Sequence, residues 1–479
     1  MYSSLTHFID ALERAGELRR IGYPVDPDLE ITEISDRVMK AGGPALLFEN
    51  PKGADFPLLI NAFGSERRMA MALGAKRLDD IAEEIADLTK PEIPQSMGQK
   101  LAFGLKYGRL ALYVPRTRKG GGTPPCQEVV MDPPRLSRLP VLTCWPLDGG
   151  PFITLPMVFS HDPNTGKRNV GMYRMQVYDD VTTGMHWQLH KVGMEHMLDA
   201  GRKPMQIAVC LGGDPAYTYS ATAPLPKEID EMLFAGFLRR QAVEMVPCKT
   251  VDVMVPADVD FVIEGTLDPT ERRIEGPFGD HTGYYTLAEP FPVFHVTAIT
   301  HRRNAVYPAT IVGPPPMEDA WLGKATERLF LPLLKTQLPE LVDMNLPAEA
   351  AFHNLAIVSI KKRYPGHARK VMHALWGMGQ MMFAKIIIVL DEDVNVHDMT
   401  DVLWKATGNM DPSRDVEMAM GPLDQLDHAA VYPSYGGHMG IDATTKWPGE
   451  GIVREWPEVA RMDPAIKERV DAIWSKLGI

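Results

Sequence analysis

Two carboxylates five positions apart, Glu275 and Asp280, bracket a run that contains Gly276, Pro277, Gly279 and Gly283. Three glycines and a proline within eight positions forbid a regular helix and disfavour an ordinary strand, so the backbone turns tightly here. A turn that folds back brings the two acids close. Two acids in one partly dry site push their pKa values apart, which holds a proton donor beside a charged partner near neutral pH. His281 follows the second acid directly. A string of this composition is most often a solvated surface turn. The strand-like runs at 259–264 and 291–300 instead set it on a rigid scaffold, where catalytic groups gather.

A second constellation lies upstream. Asn169-Val170-Gly171-Met172-Tyr173-Arg174 reads as a strand, and Met185-His186-Trp187-Gln188-Leu189-His190-Lys191 as its hairpin partner. Alternation would put Met172 and Arg174 on one face, Tyr173 on the other, and His186, Gln188 and His190 together on the second strand. Asn169, His190 and Glu231 offer an amide oxygen, an imidazole and a carboxylate. That donor set suits Mg²⁺ or Mn²⁺, which bridge to phosphate oxygens without a full protein cage. By spacing alone, a histidine on a strand is more often a satisfied hydrogen-bonder, and an arginine an ion-pair partner.

The elements that must position these groups fall into three domains joined by a helix, with boundaries at 1–117, 118–316, 317–340 and 341–479. The first hundred residues read as a small α/β unit. It has helices at 7–16, 29–40 (capped by Asp28), 66–73 and 78–88, and buried strands at 18–21, 45–48 and 58–60. Gly120-Gly121-Gly122 has no following Gly-Lys-Ser/Thr and reads as a linker rather than a phosphate loop. From 126 to 315 come short alternating runs (152–159, 170–178, 205–211, 248–255, 293–300) with one inserted helix at 227–240, the pattern of a barrel or sandwich. A helix at 318–338, kinked at Pro332, spaces the domains. Strand–helix alternation over 355–407 then predicts a mainly parallel sheet, and a last helix spans 464–477.

Composition narrows the function classes. A formal charge of −12 opposes non-specific nucleic-acid binding. No apolar run reaches the 18 or more residues of a membrane span, and no secretion pattern opens the chain, so a cytoplasmic protein is expected. Cys126, Cys144, Cys210 and Cys248 are scattered without a CxxC and are expected as free thiols.

The strings NVGMYR, MHWQLHK, EMLFAGFLR, EGPFGDHTGYYT and GIDATTKWPGE resemble those of the UbiD family of decarboxylases, in order and over almost the whole chain. LEITEISDRVMKAGGPALLFENPKG, LPVLTCWP and YPGHARKVM are similar to the branch acting on 3-polyprenyl-4-hydroxybenzoate in ubiquinone synthesis. The resemblance implies an N-terminal α/β domain, a central split β-barrel like that of flavin reductases, and a C-terminal α/β oligomerisation domain. It implies reversible, non-oxidative decarboxylation of an aromatic or α,β-unsaturated acid with prenylated FMN, which supplies the hard chemistry. A divalent metal (Mn²⁺ or Mg²⁺), held by Asn169, His190 and Glu231, would bind the cofactor phosphate, with K⁺ as a further cation. Met172, Tyr173, Arg174, His186, Trp187, Gln188, Lys191, Val192 and His438 would line the cofactor. Arg174, Glu275 and Asp280 would form the catalytic network, with Asp280 as proton donor. Further implications are a flavin prenyltransferase as cofactor supplier, a homo-oligomer (dimer or hexamer), and peripheral membrane contact if the substrate is polyprenylated. Two positions depart from the polyprenyl branch: His186 stands where it usually has Arg, and His438 where it usually has Lys. An FMN-binding oxidoreductase on the same barrel is the alternative, and it would have no use for the carboxylate pair.

Overall fold

The computed structural model describes residues 2–90, 94–188 and 191–478. Near the N-terminus, strands Leu18–Ile21, Ala45–Phe48 and Leu58–Ile60 form where the sequence places them. Their sheet is completed by Tyr307–Pro308, which arrives from far downstream and pairs parallel with Leu58–Ile60. Helix Leu5–Arg14 is capped by Ser4, whose side chain accepts from the His7 N–H, and it buries Phe8, Ile9 and Leu12. Asp28 does not cap the next helix. Glu30–Lys40 starts after Leu29, held at φ 67, with no side-chain cap. The Asp26 carboxylate takes the Asp28 N–H and Glu30 reaches back to the Asp26 N–H, so this pair closes the entry instead. A helix at Met97–Gly108, absent from the sequence reading, buries no residue.

The scaffold of the site is a seven-stranded antiparallel sheet. Its order is Thr182–Gly184, Glu289–His301, Phe261–Glu275, Met205–Leu211, Met157–His161 and Arg168–Met172, with Val129–Met131 also paired to Glu289–His301. The two long strands, Phe261–Glu275 and Glu289–His301, run together down to the Glu275↔Glu289 pair and so carry the glycine loop at their shared end. Three helices pack here rather than one: Val192–Ala200, Pro215–Ser220, and Glu231–Arg239 capped by Asp230. The four cysteines are free, and all but Cys248 are buried.

Among the described residues no hairpin ladder forms between 169–174 and 185–188, and Leu189 and His190 of the expected hairpin lie outside them. Arg168–Met172 pairs with Met157–His161, and the chain returns only as Thr182–Gly184, which pairs with Glu289–His301. One bridge, Val177↔Thr183, uses up the return, and the chain leaves the ladder after Gly184. Met185, His186 and Trp187 are then buried in succession, so a period-two face cannot describe them.

Helix Asp319–Gln337 runs with Pro332 inside it and packs on Leu78–Thr89, so it belongs to the N-terminal core as much as it spaces the domains. It leads to a five-stranded sheet ordered Leu341–Asn345, Leu355–Ile360, Ile386–Asp391, Tyr435–Asp442 and Val416–Pro422. The middle three strands are parallel and both edges antiparallel, so the sheet is mixed rather than mainly parallel. The last helix, Pro464–Trp474, is capped by Asp463 and buries nothing. Among the described residues no helix is long and apolar enough to cross a membrane.

Candidate active site

Arg174 sits in the gap between strands Arg168–Met172 and Met175–Gln176 and turns its guanidinium to the glycine loop. Its Nε donates to Glu275 Oε1 at 2.9 Å, one terminal nitrogen pairs with Asp280, and the other donates to Thr286 Oγ1 at 3.1 Å. The guanidinium lies 4.6 Å from the centroid of the Phe278 ring. Glu275 ends its strand fully buried, at 0% exposure, and Asp280 follows at 6%. The second Glu275 oxygen is 2.7 Å from His186 Nδ1. Asp280 Oδ1 accepts from the His281 main chain at 2.7 Å and stands 2.9 Å from His281 Nδ1.

The loop takes this shape for local reasons. Gly276 has φ +89, which only glycine adopts cheaply, and its N–H donates to Gln176 Oε1 at 2.8 Å. Gly279 is needed for space: a Cβ there would lie 2.2 Å from the Trp145 ring. Its N–H donates to Asp148, which also accepts from the Cys144 and Trp145 N–H groups. Trp145 is anchored by a 2.8 Å bond from its indole N–H to the Val312 carbonyl.

The electrostatics differ from the expected pair of diverging acids. Burial works to raise Asp280, but the Arg174 charge and the His281 contacts outweigh it and hold the carboxyl well below the usual range. Glu275 is also lowered: against burial stand the His186 hydrogen bond and the Arg174 charge. One guanidinium shared between two acids makes both comfortable as anions, where direct contact would have forced them apart. His186 is pushed down by burial and by Arg174, and so faces Glu275 as a neutral ring. His281 is raised, since its Asp280 contacts outweigh burial. Among the acids acting on His281, Asp319 is poised near neutrality, pushed up to about 7 by burial.

Glu231 reaches the strand that carries Asn169 although the two are far apart in the chain. Glu231 opens its helix and accepts the Val170 N–H at 3.0 Å. Burial pushes its carboxyl up to about 7, and Asn169 Nδ2 is buried without a partner. A buried carboxylate supplies an oxygen donor of the kind that fits a cation. His190 lies outside the described residues. Among the described residues no group of three His, Cys, Asp or Glu side chains suits a metal, so a cation here would depend on Asn169 and on His190.

Of the remaining predicted residues, Tyr173 and Trp187 are buried edge-on to one another at 6.2 Å, and Met172 is partly buried against other parts of the core. The Trp187 indole N–H and His186 Nε2 are buried and unpaired. Gln188 is half-buried. Lys191 precedes the helix that Val192 opens; its amine has no partner among the described residues, and burial lowers its pKa. His438 is not brought to this cluster: its Nδ1 stands 3.0 Å from the Ala384 carbonyl and its ring meets Trp376, both within the C-terminal layer. The sequence reading missed Asp148, Gln176, Thr286, Asp319 and His353. Thr286 closes the EGPFGDHTGYYT string itself, while the other four sit in no motif of their own and only the fold makes them neighbours of the loop.

Three sequence profiles match the chain, those of the N-terminal, Rift-related and C-terminal domains of 3-octaprenyl-4-hydroxybenzoate carboxy-lyase, at residues 9–88, 118–315 and 320–443. The chain belongs to the UbiD family. That family is one of carboxy-lyases, and this UbiD chain is a decarboxylase. An uncharacterized protein of Archaeoglobus fulgidus is 54% identical to it over 99% of this chain and 98% of the relative. Among solved structures, vanillic acid decarboxylase of Sedimentibacter hydroxybenzoicus in closed form is 28% identical with TM-score 0.87, covering 100% of this chain and 99% of that one. HmfF of Pelotomaculum thermopropionicum, a UbiD-class enzyme solved in complex with FMN, is 28% identical with TM-score 0.81, covering 97% and 98%. An evolved dimeric form of HmfF is solved with prFMN. The mixed α/β multidomain architecture of this UbiD chain is that of these structures.

Proposed function

We propose that this UbiD-family decarboxylase removes CO₂, non-oxidatively and reversibly, from an aromatic or α,β-unsaturated acid with prenylated FMN. The observation that carries the reading is Arg174 held between two buried carboxylates, Glu275 and Asp280, at the end of the central sheet. A flavin oxidoreductase on the same scaffold has no use for that arrangement. Hydroxybenzoate-type acids are the substrate class, 3-polyprenyl-4-hydroxybenzoate among them.

Bound prenylated FMN supplies the sink for the electrons that CO₂ leaves behind. The chain's own residues bind, orient and move the proton. Asn169, Glu231 and His190 hold Mn²⁺ or Mg²⁺, with K⁺ as a second cation. The unpaired Lys191 amine and the unpaired His186 and Trp187 nitrogens fit the polar atoms of a flavin and its phosphate. Arg174 is always charged and can grip a substrate carboxylate through two nitrogens. Asp280 delivers the proton that replaces CO₂, while Glu275 balances Arg174 and accepts from His186. The chain works in the cytoplasm as a homo-oligomer, in the three-domain division at 1–117, 118–316 and 341–479 with 317–340 as linker, and receives its cofactor from a flavin prenyltransferase.

The test is expression with a flavin prenyltransferase, followed by absorption and mass of the bound cofactor and CO₂ release from a panel of hydroxybenzoates. Prenylated FMN and turnover of at least one acid are expected. Unmodified FMN with hydride transfer and no CO₂ would point to the oxidoreductase instead.

A further inference from the structure

The glycine loop is tied to the C-terminal segment by a contact the catalytic trio does not use. His281 Nε2 lies 2.8 Å from His353 Nε2, while His281 Nδ1 lies 2.9 Å from Asp280 Oδ1. The three side chains form a line, carboxylate to imidazole to imidazole. His353 sits in the turn before strand Leu355–Ile360, just past Ala351 and Phe352, which have φ 52 and 46. Phe352 stacks on the His281 ring at 5.3 Å. His281 is thus held on one face by a phenyl ring and at both ring nitrogens by polar partners. A non-glycine pair at positive φ is a costly way to place two side chains, and such strain concentrates where function needs it.

The geometry fixes one hydrogen and places a second between two nitrogens. Asp280 as a carboxylate can only accept, so His281 Nδ1 carries a hydrogen. At a 2.8 Å separation the two Nε2 atoms share one hydrogen between them. His281 faces the His353 ring and three acids, Asp280, Asp319 and Asp424, whose charges raise it; His353 faces Asp424, Asp427 and Asp280 and is pushed down to about 4 by burial and by the charge on His281. The pair therefore holds a His281 imidazolium whose Nε2–H is donated to a neutral His353. His353 Nδ1 is buried and has no partner among the described residues, which a purely structural contact would avoid.

From this arrangement, and resting on the decarboxylase reading above, we infer that His281 is the proton store of the acid Asp280, and that His353 is the positioning residue that holds the store in register. Asp280 rests as an anion and cannot protonate anything as it stands. In the loading step the His281 Nδ1–H bond breaks and an O–H bond forms on Asp280 Oδ1, leaving a neutral imidazole and a neutral acid. In the delivery step that O–H breaks as a C–H bond forms at the carbon that carried CO₂, and Asp280 is again a carboxylate. Water returns one proton to the imidazole. One solvent proton is consumed per CO₂ released, as the overall reaction requires.

The test pairs ring-nitrogen NMR of the histidines in the full-length protein with the pH profile of kcat in the cofactor-loaded enzyme. Expected in the wild type is a His281 ring still charged above the pH at which a free histidine loses its proton. That charge should be lost at lower pH in Asp280→Asn and in His353→Leu, and recovered in His353→Gln, whose amide oxygen can accept the Nε2–H. His281→Asn keeps a donor to Asp280 but cannot store a proton. It should fall about 10-fold or more in kcat and lose the alkaline limb of the profile. A His281 that titrates as a free histidine, or ignores His353→Leu, overturns the inference. So does a His281→Asn enzyme with unchanged rate and alkaline limb. A wild type that decarboxylates no acid while His281 titrates as expected sinks the functional reading itself and leaves the store nothing to serve.

Discussion

Arg174 and Glu275 are 101 positions apart and meet through an Nε–Oε1 hydrogen bond of 2.9 Å, with the carboxylate fully buried. Removing one partner of a buried ion pair leaves an uncompensated charge, at a cost of about 3–5 kcal/mol. Here Arg174 serves two such acids, so Arg174→Met strands both. We expect it to be destabilised by at least the lower end of that range in urea unfolding. A loss under about 1 kcal/mol would mean that water reaches Glu275 and Asp280.

Acid stability follows from the same trio. Glu275 and Asp280 are both lowered in the folded state. A depressed carboxyl stabilises the fold above its unfolded pKa and loses that contribution as pH falls through the folded value. Melting temperature should therefore drop from about pH 5 toward pH 3, and less steeply in Asp280→Asn, which has one such group fewer. Equal slopes in the two proteins would contradict the assignment.

Asp280→Asn should keep fold and cofactor yet turn over on the order of 10²-fold more slowly, as for the loss of a positioned acid. Product made by the wild type in D₂O should carry deuterium at the carbon that held CO₂. Normal rate and labelling in the variant would assign delivery to another group, Asp319 being an acid that interacts with Asp280 and His281 and is pushed up to about 7.

Glu231→Ala removes the only carboxylate of the Asn169, His190 and Glu231 set. If metal and flavin phosphate bind as one unit, as proposed, metal content by mass spectrometry and flavin absorbance should fall together. Chelation of the wild type should do the same. Full flavin occupancy in metal-free buffer would disconnect the two.

The helix Pro464–Trp474 buries nothing and exposes Val470, Ile473 and Trp474, with Leu477 beyond it. Light scattering at micromolar concentration should find a dimer or a multiple of dimers, weakened by Trp474→Lys. A stable species at 53.3 kDa would refute assembly through this end.

Local pattern carried far in this chain where structure is local. The strands at 18–21, 45–48 and 58–60 and the helices at 66–73 and 78–88 were legible because burial and capping act within a few residues. The hairpin at 185–191 was not, since strand pairing is settled by which distant ladder offers an edge, and Glu289–His301 offered one to Thr182–Gly184. Asp28 looked like a cap, but the competing Asp26 and Glu30 contacts left Leu29 in that place.

By itself the sequence determined the chemistry available: two acids on a glycine turn, an arginine and an amide on a strand, and a motif order matching the family. Only the tertiary structure decided what those groups are. Two carboxylates in sequence proximity suggested a split pair of pKa values. The fold placed Arg174 between them and His281 behind Asp280, so both carboxyls are lowered together and the imidazole is raised. It also joined His353 to His281 across 72 positions. Charge state depends on what lies within a few ångströms in a dry interior, and that distance is a property of the fold rather than of the order of residues.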